Sequence, residues 1–479
     1  MTAELARAGG VLGCAGLAIL LVAPTRTLRL GGLGAWALGA LVLAIYLLPH
    51  GHRPLLAAAA VVGLGLAAGG AWLLRRWPPL LAFAALACFP ARIPVNVGTT
   101  NANLLVPLYG VVAAAAIALA WELLHGDERA RELGPLAWPL AAVVAWTGLT
   151  ILWVADVRQG AIALLFYYLP FGLLAVGFAR LPWSRRWLVA LYAQLALMAA
   201  VFALIGMYQW ATRDVFWNPK VIVGNAYAPF YRVNSVFWDP SIYGRFLVIA
   251  ILASLAIALS TRAARVAAVL AVGIAITWIG LLFSFSQSSF VALIAGVLVA
   301  AAFAWQWRVI AAAGLAAVVL VSVGFAAPNI RDSLFDHSFN RVTSDRYSLV
   351  TNGLRIAEHH PVGGVGIGGF RQAYAKRQHL KGREPKKAAS HDTPVTVVAE
   401  TGVPGLLLFC WLLGAALLLT LRRVEGGFVH RTRLVAGLAL GAIAVHSLFY
   451  NALFEDPMAW ALFGLAALTA VVAREGEPA

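Results

Sequence analysis

The chain has 479 residues, of which 62% are hydrophobic and 12% charged, with a mean hydropathy of +0.83 and a formal net charge of +16. Soluble domains carry about a quarter charged residues, so this composition excludes a water-soluble fold. The positive balance does not indicate nucleic-acid binding, because Lys and Arg sit in the connections between apolar stretches and form no separate basic domain.

A hydrocarbon core about 30 Å thick takes roughly 20 apolar residues per crossing helix. Such stretches recur at residues 9–24, 31–48, 54–74, 79–92, 103–124, 136–154, 159–179, 187–211, 240–260, 264–284, 288–305, 309–326, 395–421, 434–453 and 457–473. They predict an all-α, polytopic integral membrane helix bundle with about 13 to 15 crossings and a mostly helical external loop. The first stretch, from Gly9 to Pro24, has neither a basic start nor a small-residue cleavage site and reads as a retained helix, not a signal peptide. The stretch 79–92 is broken by Pro90 and Pro94, so it either crosses or dips into the bilayer. Cys14, Cys88 and Cys410 all fall inside apolar runs without metal-ligand spacing and read as packing residues.

Arg180, Arg185 and Arg186, then Arg262 and Arg265, then Arg308, then Arg422, Arg423, Arg431 and Arg433 fall on alternating connections. The positive-inside rule makes those connections cytoplasmic, and Arg26, Arg29, Arg75 and Arg76 agree with the same register. The organisation expected is N-terminal transmembrane helices at 1–211, a first external loop at 212–239, central transmembrane helices at 240–326, a large external basic loop at 327–394 and C-terminal transmembrane helices at 395–479. The 327–394 segment carries eleven Lys or Arg against six Asp or Glu, and five of the ten histidines. Long loops translocate largely regardless of charge, so topology tolerates this excess without explaining it.

In the first loop Asp239-Pro240 is a cap and first-turn signal for the helix that follows. Arg245 lies over one turn into that helix, where a cation is costly unless it meets a polar cavity, a partner or the headgroups. In the second loop, Tyr347 to His360 mixes Leu349, Leu354, Ile356 and Ala357 with Arg355 and Glu358, predicting an amphipathic helix at the membrane surface. The run Pro361-Val-Gly-Gly-Val-Gly-Ile-Gly-Gly-Phe370 has no Lys-Ser or Lys-Thr after its glycines and no apparent strand before them, so it is no phosphate loop. Its glycines predict tight turns or close backbone approach. His391 stands just before a helix that re-enters the bilayer, where an imidazole titrates near neutrality. As a general base it can take a proton from an acceptor hydroxyl while arginines neutralise a diphosphate leaving group. His337, His359, His360 and His379 read as solvated side chains.

The ordered set Arg346, Pro361, Gly364, Gly366, Phe370, His391-Asp392, Glu400, Gly402 and Gly405 resembles the external loop of the O-antigen ligase and O-antigen polymerase superfamily of bacterial membrane glycosyltransferases. Arg232 with Asp239-Pro240 is similar to the family's other external arginine segment. The resemblance covers 212–421 by motif and residues 1–200 by hydropathy pattern alone. The sequence departs from the family at Ser284-Phe-Ser-Gln-Ser-Ser289, where many relatives carry a Ser-Arg-Gly-like junction, and at Asp392, where Asn is common.

The resemblance implies a GT-C-like bundle in the bacterial cytoplasmic membrane and a metal-independent, inverting enzyme without a cofactor. Such an enzyme moves a glycan from an undecaprenyl-diphosphate carrier to an acceptor hydroxyl on a glycan, lipid or protein at the outer face of the membrane. It further implies His391 as general base or acceptor orienter, with Arg232 and Arg346 as diphosphate clamps and Arg341 and Arg245 as second-rank contacts. A ligase is favoured narrowly over a polymerase, which differs in its acceptor. A transporter and a non-catalytic envelope scaffold are the readings of another class. No internal repeat is evident, and acidic residues are nearly absent from the span centres, which weighs against a transporter.

Overall fold

With few charges to interrupt them, the apolar runs satisfy their backbone groups in the way lipid demands, as helices. In the computed structural model, which describes residues 2–48, 53–97, 100–130, 132–227, 230–305, 346–379, 390–422, 427–451 and 453–475, eleven helices are long and apolar enough to cross a membrane. The protein is thus a polytopic all-α membrane protein, as its composition predicts. The expected span 309–326, His337 and Arg341 lie outside the described residues.

The first helices are α1 (Ala3–Val22), α2 (Arg26–Leu47), α3 (Arg53–Arg76) and α4 (Leu80–Cys88). Helix association in lipid relies on small residues that let backbones approach, and α1 against α2 shows it: a Cβ on Gly39 would lie 2.3 Å from the Gly13 nitrogen. Within the 79–92 stretch, α4 has nine residues. At 1.5 Å per residue it rises roughly 14 Å, less than half of a hydrocarbon core. Pro90 and Pro94 stop it, and a short antiparallel hairpin, β1 (Ile93–Val97) with β2 (Thr100–Leu104), leads to α5 (Val106–Leu124).

There follow α6 (Ala137–Leu149), α7 (Val157–Ala163) and α8 (Leu169–Ala179), the last two joined by a π-helical turn at Leu164–Tyr168. Then come α9 (Arg185–Thr212), α10 (Pro219–Tyr227), α11 (Pro240–Ser260), α12 (Ala264–Ser284) and α13 (Gln287–Trp305). The C-terminal part holds α14 (Arg346–His359), α15 (Phe370–Arg377), α16 (Thr393–Leu421), α17 (Phe428–Ser447) and α18 (Pro457–Glu475). Helices α8, α11 and α18 are the most enclosed, with Phe171, Tyr243, Trp460 and Phe463 fully buried.

The basic connections gather at one end of the bundle. Arg26 donates to the Leu124 carbonyl (3.1 Å), Arg75 stacks over Trp121 (4.5 Å) and Arg185 over Phe428 (5.7 Å). Arg180 pairs with Glu122 at 2.7 Å, with Glu132 at 3.3 Å and with Asp127. Arg29, fully buried, meets Glu132 and the Arg129 carbonyl, which offsets the cost of enclosing a cation. Burial opposes ionisation of Asp127, but hydrogen bonds from Arg129 and the charge of Arg180 outweigh it and hold the carboxyl below the ordinary carboxylate range. The described loop residues at 230–239, 360–369, 390–392, 448–451 and 453–456 occupy the opposite end.

The cysteines are all free thiols. Cys14 is buried against Gly148, Cys88 is half-buried and Cys410 is exposed on α16.

Candidate active site

Helix α16 opens on Asp392, whose Oδ1 accepts from the Val395 N–H at 2.9 Å. This N-cap role directs the Asp392 carboxylate at the helix terminus. Ser390 and Thr396 close the same turn: Ser390 Oγ donates to the Asp392 carbonyl (2.8 Å), and Thr396 Oγ1 donates to that carbonyl as well (2.9 Å). His391 is held between them at φ 54, half-buried. Left-handed backbone is uncommon outside glycine, though histidine is among the residues enriched there.

Two turns on, α16 breaks at Gly402 (φ 71, ψ −175). The glycine run of 361–369 fills the break. Val365 and Gly366 donate to the carbonyls of Ala399 and Glu400 (both 2.9 Å), and Val403 donates to Pro361 (2.7 Å). Gly364, Gly366 and Gly368 all take positive φ, and a Cβ on Gly364 would meet the Glu400 backbone at 2.3 Å. The glycines therefore serve close backbone approach, as their spacing predicts. Glu400 completes the joint by accepting from the Phe370 N–H at 3.2 Å, which starts α15.

The other wall of this joint comes from the end of α6, where Trp146 donates to the Thr401 carbonyl (2.8 Å), Trp153 to the Gly363 carbonyl (3.0 Å), and Thr150 Oγ1 accepts from Ile367 (3.0 Å). Helix α14 lies over α15 and α16, with Leu349 and Ile356 packed against Phe370, Tyr374 and Ala399. Of the apolar residues expected from the amphipathic run at 347–360, Leu349, Ile356 and Ala357 are buried here, whereas Leu354 is exposed.

Between these parts opens a cleft of about 360 Å³. Val143, Ile162, Phe409 and Phe454 form an apolar side, while Arg92, Arg371, Glu400 and Glu455 supply charge. The π-helical turn brings both Tyr167 and Tyr168 to the cleft, and Tyr450 and Trp238 complete its polar rim. Thr393 and Thr396 line it too, so the His391 turn borders the cleft. Burial pushes the Glu455 carboxyl up, opposed by Arg92 and Arg245. Among the described residues no cluster of three His, Cys, Asp or Glu side chains could hold a metal ion.

Among the described residues His391, Arg232 and Arg245 stand outside the lining of this cleft. Arg232 is half-buried beside it, with Nε donating to the Ser284 carbonyl at 3.2 Å. Burial lowers its affinity for the proton, against the pull of Asp239 and Tyr450. Asp239 caps α11 by accepting from Ser241 at 2.7 Å, as its place before Pro240 predicts. Arg245 lies deeper, nearly fully buried and ion-paired with Asp456 at 2.9 Å. Arg346 is the first residue of α14. The Ser284–Ser289 junction is a buried hydroxyl knot, Ser286 to Ser289 at 2.8 Å and Ser288 to His446 at 3.1 Å, while Gln287 itself is exposed.

Arg92, Arg371, Tyr450 and Glu455 were not singled out by sequence. A charged residue between two prolines in an apolar setting, and an acidic pair directly before the last helix, were the available signals for Arg92 and Glu455.

A bundle of candidate membrane-crossing helices with a charged cleft, walled by a glycine loop seated in a broken helix, defines a polytopic membrane protein. Residues 272–410 match the O-antigen ligase family, which bears out the resemblance of this chain to that superfamily. The matched segment supplies the glycine loop, Arg371, the His391 turn and Glu400. A search among curated proteins gave no match.

Proposed function

We propose that this protein is an O-antigen ligase-like glycosyltransferase. It moves a glycan from an undecaprenyl-diphosphate carrier to an acceptor hydroxyl on the outer face of the cytoplasmic membrane, without a metal and with inversion at the sugar. The observation that carries this reading is the cleft itself: the segment matching the O-antigen ligase family contributes the glycine joint and the turn after His391 to a cavity lined by both arginines and apolar side chains. A lipid-linked diphosphate needs both surfaces. The positive-inside rule supports a cytoplasmic face for the end rich in Arg26, Arg75, Arg180 and Arg185 and, with it, an external cleft.

In this reading His391 takes the proton of the acceptor hydroxyl or orients it. The acceptor oxygen bonds to the anomeric carbon, whose bond to the diphosphate oxygen breaks, and the diphosphate leaves with the electron pair. Arg232 and Arg346 neutralise that leaving group, with Arg341 in support, while Arg245, buried and paired with Asp456, acts at most through the packing behind the cleft. Fixed cations at developing charge are worth most where water is excluded.

The test is transfer of a labelled glycan from undecaprenyl diphosphate by purified protein, with source-cell membranes as acceptor, comparing wild type with Arg232→Ala, Arg346→Ala and His391→Ala. Loss of transfer in all three folded variants supports the assignment. Full transfer by His391→Ala removes its catalytic role, and a wild-type protein that binds carrier tightly without turnover favours a lipid-handling transporter or scaffold. Lengthening of carrier-linked chains in place of transfer to an anchor would make the enzyme a polymerase.

A further inference from the structure

Arg92 stands where the half-length α4 has ended and the β1–β2 hairpin begins, so the chain carries a guanidinium to the floor of the cleft. Its Nη2 donates to the Glu455 carbonyl at 3.2 Å, and its buried Nε has no acceptor among the described residues. A guanidinium has five N–H donors, and a half-buried one using so few is poorly compensated. Glu455, whose carbonyl accepts that bond, lines the same cavity with its carboxylate under the opposing pull of Arg92 and Arg245. The neighbouring carboxylates are already engaged, Asp456 with Arg245 at 2.9 Å and Glu400 with the Phe370 N–H at 3.2 Å. Among the described residues no side-chain ion pair joins Glu455 to Arg92, although both line the same cavity.

We propose that Arg92 and Glu455 are a substrate-binding pair: Arg92 holds a phosphate oxygen of a polyprenyl diphosphate, and Glu455 accepts a hydrogen bond from a hydroxyl of the sugar attached to it. A cation and a carboxylate that line one cleft without a direct ion pair match a ligand carrying an anion and hydroxyls a few bonds from each other. The volume agrees, since about 360 Å³ is at the small end of the ligand-site range of roughly 300–1,000 Å³, enough for a diphosphate with its first sugar. The prenyl chain would then leave along Val143, Ile162 and Phe409. The inference rests on the transferase reading and adds to it a floor contact and a sugar contact.

Binding of two probes to the full-length protein in detergent tests it: undecaprenyl diphosphate, and undecaprenyl diphosphate carrying one sugar. Arg92→Gln is expected to weaken both by about tenfold to a hundredfold, the usual cost of losing a charge-assisted hydrogen bond. Glu455→Gln is expected to leave the bare diphosphate within about threefold and weaken the glycosylated probe by about tenfold. Should Arg92→Gln fail to fold, Arg92→Lys decides, since it keeps the charge and loses the fork; weaker binding of both probes supports the pair. Variants that bind both probes as wild type does overturn this inference alone. A wild-type protein that binds neither probe overturns the transferase reading with it.

Discussion

A Cβ on Gly402 would sit 2.3 Å from the carbonyl oxygen of Val362, and the backbone there is left-handed at φ 71. Both facts forbid a side chain at the point where the glycine loop enters the broken helix. Gly402→Ala is therefore expected to cost about 2–4 kcal/mol, combining backbone strain with displacement of the loop. Gly414→Ala, on the same helix with open space around it, should be neutral or slightly stabilising. Thermal unfolding of the two variants in detergent gives the comparison, and equal melting temperatures would show that the loop does not depend on the break.

The ion pair of Arg245 and Asp456 ties α11 to the start of α18 inside the bundle. Removing one partner of a buried pair leaves the other charge uncompensated, at about 3–5 kcal/mol. Arg245→Met and Asp456→Asn should each lower stability by that order, whereas the double variant should lose much less than the sum of the two. A double-mutant cycle on thermal stability measures the coupling. Strict additivity would mean that the two side chains do not depend on each other.

How far the sequence foretold this arrangement depends on the distance over which its parts cooperate. The helical bundle follows from hydropathy alone, and Asp239-Pro240 announced the start of α11 by local chemistry. The glycine spacing at 364, 366 and 368 announced close approach, but not its target. That target, the Ala399–Gly402 backbone, appears in the sequence only as a second motif, and Trp146, Thr150 and Trp153 are an ordinary helical i, i+4, i+7 face until the fold supplies the loop. The floor of the cleft was least legible, because the Arg92 to Glu455 contact joins residues 363 positions apart. Local patterns could flag each residue singly, but their contact comes only from packing the end of α4 beside the turn before α18.

Asp392 offers a test by pH. Burial raises its carboxyl above the ordinary value, with the Val395 N–H acting against the rise. A raised folded-state pKa means that the folded chain holds the proton more tightly than the unfolded chain. Between the two values stability therefore falls as pH rises, and the ionised form carries the full cost above both. Asp392→Asn keeps an oxygen for the Val395 N–H and removes the charge. It should melt higher than the parent at neutral pH, by about 1–3 °C, and the gain should shrink toward about pH 4. A gain that grows on acidification would contradict the burial argument.

The concentration of arginines at one end of the bundle makes the orientation testable in cells. With Cys14, Cys88 and Cys410 replaced by Ala, a single cysteine introduced at Gln372, exposed on α15 near the cleft, should react in intact cells with a thiol reagent that cannot cross the inner membrane. One introduced at Arg186, exposed at the arginine-rich end, should react only after the membrane is permeabilised. The physical basis is the cost of translocating short basic connections, and the 180–186 connection, with three arginines in seven residues, is among the shortest and most basic of them. The reverse labelling pattern would place the cleft in the cytoplasm, where an externally displayed carrier-linked glycan could not reach it, and the transferase reading would fall with the topology.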